Sequence, residues 1–281
     1  MARAAGSTAK GRARLAPEPP LPEDEAAAPP PPKPRRSRAP KPPPEPLLDE
    51  EEPEGLGRRF VTFLVRGVLL LVVAVVGLVA LFSVVNPPTD PYMMSESRRL
   101  GGIEQDWVSL DDVAPIMPRA AVAAEDANFC EHWGLDLRAI RTAMAQGSDR
   151  GASTISQQVV KNVFLWQGRS WTRKALEAGL TPVMEAFWTK RRILEVYLNV
   201  AEFGEGVFGV EAAARHWFGV PASDLTEVQA ARLAAILPSP KTRDPANPTD
   251  SLRARARSIL DGAATIEADG RAACFEEAAS P

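Results

Sequence analysis

The chain has 281 residues, 45% apolar and 25% charged, ordinary proportions for one large or two small globular domains. A formal net charge of −3 argues against a dedicated nucleic-acid binder. Two cysteines, Cys130 and Cys274, and two histidines, His132 and His216, lack the spacing of a zinc site and permit at most one disulfide. These averages conceal three segments. Residues 1–59 hold 15 of the 27 prolines and almost no aromatics, so they cannot bury enough apolar surface to fold and are predicted to be disordered. Gly67 to Val85 is uncharged and rich in Val and Leu, about 28 Å long as a helix and sufficient to cross a bilayer core. Phe60 to Val65 extends this span, which gives a transmembrane helix over residues 60–85. A buried helix of a soluble protein or a cleaved signal would share the composition, but the apolar run exceeds a signal core and starts some sixty residues in. Arg58, Arg59 and Arg66 flank it on the N-terminal side, so the N-terminus is predicted to be cytoplasmic and residues 86–281 to lie outside.

The outer segment, about 195 residues, is long enough for a real core. Its periodicity is helical and few runs alternate. Leu137, Ile140 and Met144 recur at helical spacing, with Asp136 as an N-cap. Ser170 to Val200 reads as helix, bent or broken near Pro182. Thr226 and Gln229 have the spacing of a capping box. Residues 86–250 are read as the folded domain and 251–281 as a C-terminal helix and tail.

Four constellations carry possible chemistry. In Glu125 to Gly134, the adjacent carboxylates Glu125 and Asp126 follow an Ala-rich helical stretch and precede Phe129. Desolvation beside an aromatic raises a carboxyl pKa, as a general base requires. A solvated acidic helix end is the simpler alternative for this segment alone, and a lone His132 is more often structural. In Gly151 to Asn162, a polar loop from Gly147 is followed by Ile155, Val159 and Val163 on a core-facing stripe. Thr154, Gln157, Gln158, Lys161 and Asn162 crowd the remaining faces with donors suited to a sugar phosphate. Lys161 to Arg192 contains seven basic and two acidic residues, a basic island in an otherwise acidic segment. Such an island suits an anionic ligand, and outside a membrane a lipid phosphate or diphosphate is more natural than nucleic acid. Arg173 and Glu177 are also spaced to pair on a helix, and Lys190 to Arg192 suit a basic helix end near a bilayer. Finally, Gly204, Gly206, Gly209 and Gly219 mark a loop of close approach, with Phe203, Phe208, Trp217 and Phe218 expected in the core.

In this order the motifs resemble the peptidoglycan glycosyltransferases of glycosyltransferase family 51. The pattern EDxxFxxHxG is met by Glu125, Asp126, Phe129, His132 and Gly134. GxSTIxQQxxKN is met by Gly151, Ser153, Thr154, Ile155, Gln157, Gln158, Lys161 and Asn162. RKxxE is met by Arg173, Lys174 and Glu177, and ILExYLN by Ile193, Leu194, Glu195, Tyr197, Leu198 and Asn199. The text from Phe164 to Leu194 is most similar to the monofunctional branch of Gram-negative bacteria. The resemblance spans roughly Pro91 to Pro248 and leaves out the Pro-rich N-terminus and the last thirty residues.

The resemblance implies a mostly α-helical, lysozyme-like domain behind one membrane anchor in the bacterial inner membrane, with the catalytic domain periplasmic. It implies polymerisation of lipid II into glycan strands, with inversion and release of undecaprenyl diphosphate. Glu125 would be the base on the acceptor 4-hydroxyl, and Glu177 would assist departure of the diphosphate. Lys161, Arg173 and Lys174 would neutralise that diphosphate. Ser153, Thr154, Gln157, Gln158 and Asn162, with Asp126, Phe129, His132 and Gly134 of the first motif, would position substrate. A divalent cation, magnesium or manganese, is left open, with Glu177 and Asp126 able to serve it. The expected partners are lipid II, the growing strand, the membrane and other cell-wall synthesis or division proteins, without nucleic acid. About 40 residues follow Pro240, too few for the penicillin-binding domain of bifunctional relatives, and Ser7 to Lys10 match its SxxK motif only by chance. A lysozyme-like hydrolase and a non-catalytic scaffold recruited through the tail are the competing readings. A diphosphate leaving group needs charge neutralisation, whereas glycoside hydrolysis needs a carboxylic acid at the leaving oxygen, so the basic island disfavours the hydrolase.

Overall fold

The computed structural model describes residues 56–145, 153–168 and 170–276. The predicted disorder of the Pro-rich segment up to residue 55, the Ser7 to Lys10 match and the loop from Gly147 to Gly151 lie outside the described residues.

Helix α1 spans Leu56–Phe82, starting before the expected Phe60 and ending before Val85. Nearly all of its most apolar stretch is exposed to its surroundings and not packed on protein, which a buried helix of a soluble core would not show. The helix stops because Ser83 turns its hydroxyl back to Ala80 O at 2.6 Å and Pro87–Pro88 cannot extend the ladder. Its last turn is bound by the domain. Trp188 Nε1 donates to Val79 O at 2.7 Å, and the Arg192 guanidinium donates to Phe82 O and, at 2.9 Å, to Val85 O. Val79 O and Phe82 O are carbonyls that a helix C-terminus leaves without internal partners, and Val85 O lies just beyond it.

Asp90 caps α2 (Pro91–Leu100), accepting from Met93 N at 2.8 Å. Strand β1 (Glu104–Gln105) leads to α3 (Ile116–Glu125) and, after the loop of the first motif, to α4 (Leu137–Ala145). Asp136 accepts from Arg138 N and Ala139 N, as its predicted capping role requires. Next come α5 (Ile155–Phe164), α6 (Trp171–Phe187) and α7 (Lys190–Val200). Of the expected bend or break near Pro182, the break falls elsewhere. Helix α6 continues through Pro182 to Phe187, and the chain turns at Trp188, where Thr189 caps α7 by accepting from Arg192 N at 3.1 Å.

Strands β2 (Glu202–Gly204) and β3 (Val207–Phe208) form a hairpin, and β1 adds in parallel to β3, giving the order β1-β3-β2. Gly209 has φ +85 and lies so close to Asn199 that a Cβ would sit 3.0 Å from its carbonyl oxygen. That is the close approach its glycine spacing suggested. Phe203 and Phe208 are fully buried. Helices α8 (Val210–Phe218), α9 (Glu227–Ile236) and α10 (Asp250–Ala268) complete the domain, with Thr226 and Gln229 forming the expected capping box on α9.

The core has two helical layers. One is α5 with α6 and α7, and the other is α3 with α9 and α10. The C-terminal segment, set apart in the sequence reading, is thus part of the domain. Leu252, Ala256, Ile259, Ala263 and Ile266 are buried at spacings of three and four, and Gly262 lets α10 come close to Ala123 of α3. Cys130 and Cys274 form a disulfide that joins the first-motif loop to the end of the described chain.

Candidate active site

The site is assembled where α3 ends, α5 begins and α6 enters. Glu125 is the last residue of α3 and Asp126 its C-cap. Asp126 is buried. Its Oδ2 accepts from Ile155 N at 3.0 Å and its Oδ1 contacts His132 Nε2 at 2.9 Å. One carboxylate therefore ties the end of α3, the intervening loop and the first turn of α5 together. It also explains why the two acidic neighbours differ in role, since Asp126 turns inward and leaves Glu125 facing the site.

Several residues expected to meet substrate are engaged within the protein. Thr154 and Gln157 close a capping box on α5, and the Thr154 hydroxyl also donates to Gly134 O at 2.6 Å. Both are buried, so the Gln157 amide is used on the helix cap. Gly134 has φ +80, and a Cβ there would lie 2.5 Å from Thr181 Cγ2. Phe129 is fully buried with the Lys190 ammonium 4.5 Å from its ring centroid. Lys190 donates to His132 O and to Glu185 Oε1, each at 2.8 Å, and Ser156 donates to the same Glu185 oxygen. Asn162 is buried and accepts from Gln167 Nε2. These residues hold the loop of the first motif against α5 and α6.

The remaining residues face one another. Gln158 Nε2 donates to Glu125 Oε2 at 2.9 Å. Burial pushes the Glu125 carboxyl above its ordinary range, and Asp126 adds to this, while Gln158, Arg255 and Lys161 oppose it. Lys161 follows Gln158 by three residues and so shares its face of α5. Burial lowers the Lys161 pKa, with Arg173 and Lys174 adding to the effect and Glu177 and Glu125 opposing it. Lys161 is thus electrostatically linked to both carboxylates. Glu177 is almost fully buried. Its Oε2 accepts from Arg173 Nη1 at 2.8 Å and its Oε1 from Lys174 Nζ at 2.5 Å. Lys174 also reaches Ser153 Oγ at 3.1 Å.

The basic island is more structured than its charge count implied. Arg169 lies outside the described residues; of the other six, Lys190 pairs with Glu185, Arg191 with Asp111 and Arg192 with Glu195, which leaves Lys161, Arg173 and Lys174 grouped around Glu177. The carboxylates do not fit a divalent cation. Both Glu177 oxygens are held by cations, both Asp126 oxygens are engaged, and no cluster of three His, Cys, Asp or Glu able to hold a metal occurs among the described residues. Arg255 of α10, whose Nη2 lies 4.0 Å from Glu125 Oε1, was not foreseen. In the sequence this segment reads only as a C-terminal helix and tail outside the folded domain, so nothing in that reading points to α3.

A helical domain with a buried carboxylate beside a cationic cluster suits an enzyme that acts on an anionic substrate. Comparison with known proteins specifies it further. Residues 94–264 match the transglycosylase family, and the chain belongs to that family. The match runs beyond Pro248 into α10, in keeping with the packing of that helix. The chain is 61% identical over 213 residues to the biosynthetic peptidoglycan transglycosylase of Jannaschia sp. (strain CCS1), covering 76% of this chain and 89% of that protein. It is 44% identical over 225 residues to the protein of that name from Caulobacter vibrioides, covering 77% and 98%. It is 50% identical over 210 residues to that of Escherichia coli (strain K12 / DH10B), covering 70% and 87%.

Proposed function

We infer that this protein polymerises lipid II into peptidoglycan strands and releases undecaprenyl diphosphate. The observation that carries the reading is the contrast between its two carboxylates. Glu125 is part-buried, with a raised pKa and no hydrogen bond to Oε1 from any described residue, which suits a general base. Both oxygens of Glu177 accept from cations, which suits a residue that orients those cations and not one that protonates a leaving oxygen. Glycoside hydrolysis would need such a proton donor, and transfer from a diphosphate does not.

In this mechanism Glu125 takes the proton from the acceptor 4-hydroxyl as that oxygen attacks the anomeric carbon of the donor. The bond from that carbon to the diphosphate oxygen breaks on the opposite face, which inverts the centre. The electron pair leaves on the diphosphate, and Lys161, Arg173 and Lys174 neutralise it. Gln158 holds the base in place, and Ser153 orients Lys174. The catalytic domain is placed on the periplasmic face of the inner membrane with the N-terminus in the cytoplasm, on the strength of the arginines that flank the apolar helix. Other cell-wall synthesis or division proteins are natural partners for the Pro-rich tail.

The test is labelled lipid II with purified protein, with products resolved by length. The wild type is expected to form long strands, and Glu125→Gln to lose polymerisation by at least about a hundredfold while retaining lipid II binding. Loss of binding in that variant would assign Glu125 to structure instead of chemistry. Soluble fragments released from finished cell wall, with no polymer from lipid II, would favour the hydrolase.

A further inference from the structure

We infer that Arg255 is a positioning residue for Glu125, holding its carboxylate charged and aimed into the site. The inference rests on the reading of Glu125 as the general base. Arg255 lies on α10, outside all four motifs. Its Nη2 is 4.0 Å from Glu125 Oε1, while Gln158 of α5 holds Oε2 at 2.9 Å. The two oxygens are thus steered from two helices in two ways. Oε2 is fixed by a hydrogen bond. Oε1 feels a charge at ion-pair distance without a hydrogen bond from any described residue, so its lone pair is available for the acceptor proton. A direct hydrogen bond from the guanidinium would occupy that lone pair and weaken the base.

The placement of Arg255 is enforced by packing. Leu252, Ala256 and Ile259 on either side of it are buried, and Gly262 holds α10 against Ala123, two residues before Glu125. The guanidinium itself is wet, 41% exposed against 13% for the Glu125 side chain. It lines an open cavity of about 570 Å³ with Thr242, Arg243, Asp244, Asn247, Thr249 and Ser251, so Asp244 and Arg243 are the other charged groups on that side. Its charge therefore reaches Glu125 from the solvent side, where it is not itself desolvated.

The other ionisable groups that act on Glu125 are Lys161 of α5, the buried Tyr197 phenol of α7 and the neighbouring Asp126. Helix α9, also packed on α3, places no charged group within ion-pair distance of it among the described residues. Burial and Asp126 favour the neutral acid, whereas Arg255 and Lys161 favour the carboxylate. Loss of Arg255 should therefore raise the pKa of the base. Because the base must be ionised to act, the acid limb of the rate profile should move to higher pH.

The experiment measures kcat and KM for lipid II against pH with the full chain in detergent and lipid, for wild type, Arg255→Ala, Arg255→Lys and the exposed control Arg257→Ala. Arg255→Ala is expected to lower kcat about tenfold near neutral pH, to change KM by less than about threefold, and to shift the acid limb of kcat upward by about half a unit or more. Arg255→Lys should restore most of kcat and the limb, and Arg257→Ala should match wild type. An unmoved limb with unchanged kcat would overturn the inference. A raised KM with unchanged kcat would overturn it too, assigning Arg255 to substrate binding. If Arg255→Ala fails to fold, Arg255→Gln is measured instead, with the same outcomes. Glu125→Gln is assayed alongside. Polymer from that variant would refute the base itself, whereas an inactive Glu125→Gln beside a wild-type-like Arg255→Ala would refute the positioning role alone.

Discussion

Loss of hydration has different consequences for three of this protein's carboxylates, the part-buried Glu125 and the buried Glu177 and Asp90. Glu177 replaces water with two cations, Glu125 with an amide and a distant guanidinium, and Asp90 with little. Asp90 is 1% exposed, its Oδ2 has no partner, and burial pushes its carboxyl from 3.8 up to about 6. Its folded-state pKa is therefore the higher one. Folded and unfolded chains are both protonated below about pH 3.8, and above about pH 6 the folded chain must ionise a carboxyl that its surroundings disfavour. Its contribution to stability is fully present at the acid end and lost as pH rises through about 6. That loss is on the order of 2–3 kcal/mol. Asn caps a helix as well as Asp does. Asp90→Asn is thus expected to raise the thermal midpoint by a few degrees at pH 8 and to leave it unchanged at pH 3.5, with thermal unfolding at both as the check. An equal gain at both would mean that ionisation is not the cause.

At the scale of elements, the site depends on how the first-motif loop is seated. Gly134→Ala would combine a left-handed backbone with a Cβ 2.5 Å from Thr181 Cγ2 and 3.0 Å from Glu185 Cγ. The expected loss is about 2–4 kcal/mol, read as a lowered thermal midpoint together with reduced polymerisation. Local chemistry made some elements legible in the sequence. The boxes Thr154–Gln157 and Thr226–Gln229 and the Asp136 cap need only residues a few positions apart. The stripe of Ile155, Val159 and Val163 did face the core. The break in the long helix was misplaced because Pro182 is a strong local signal, yet tertiary packing carries α6 past it. Thr181 donates its hydroxyl to Glu177 O there, and the weaker Thr189 cap sets the actual boundary. The strands were missed because they run two or three residues, shorter than any alternation can register. The motifs named Glu125 and its neighbours, but not which polar side chains turn inward. Whether Gln157 or Gln158 meets the site depends on the register of α5, which its N-terminal cap fixes.

For the whole molecule, the C-terminal segment closes the domain onto its own active-site loop. The Cys130–Cys274 disulfide is joined by Arg271 donating to Ala127 O at 2.9 Å and by a Phe129–Phe275 ring contact. The sequence permitted this bond, but the separation of 144 positions between the cysteines gave no sign of their proximity. A crosslink closing so long a loop stabilises by about 3–5 kcal/mol in the chain-entropy view. Cys274→Ser, or reduction, is expected to lower the thermal midpoint by about 5 °C or more, measured by unfolding with and without reductant. An unchanged midpoint would mean that packing alone holds the segment. At the opposite end, Trp188 and Arg192 grip the last carbonyls of α1. In the proposed membrane placement, α1 would act as a mast and not a tether, holding the catalytic cleft at a fixed height. Lipid-linked acceptors that diffuse in a bilayer also present their sugars at one height. Encounter becomes a search within a plane, where effective concentration is set by surface density and no affinity is needed to bring the substrate near.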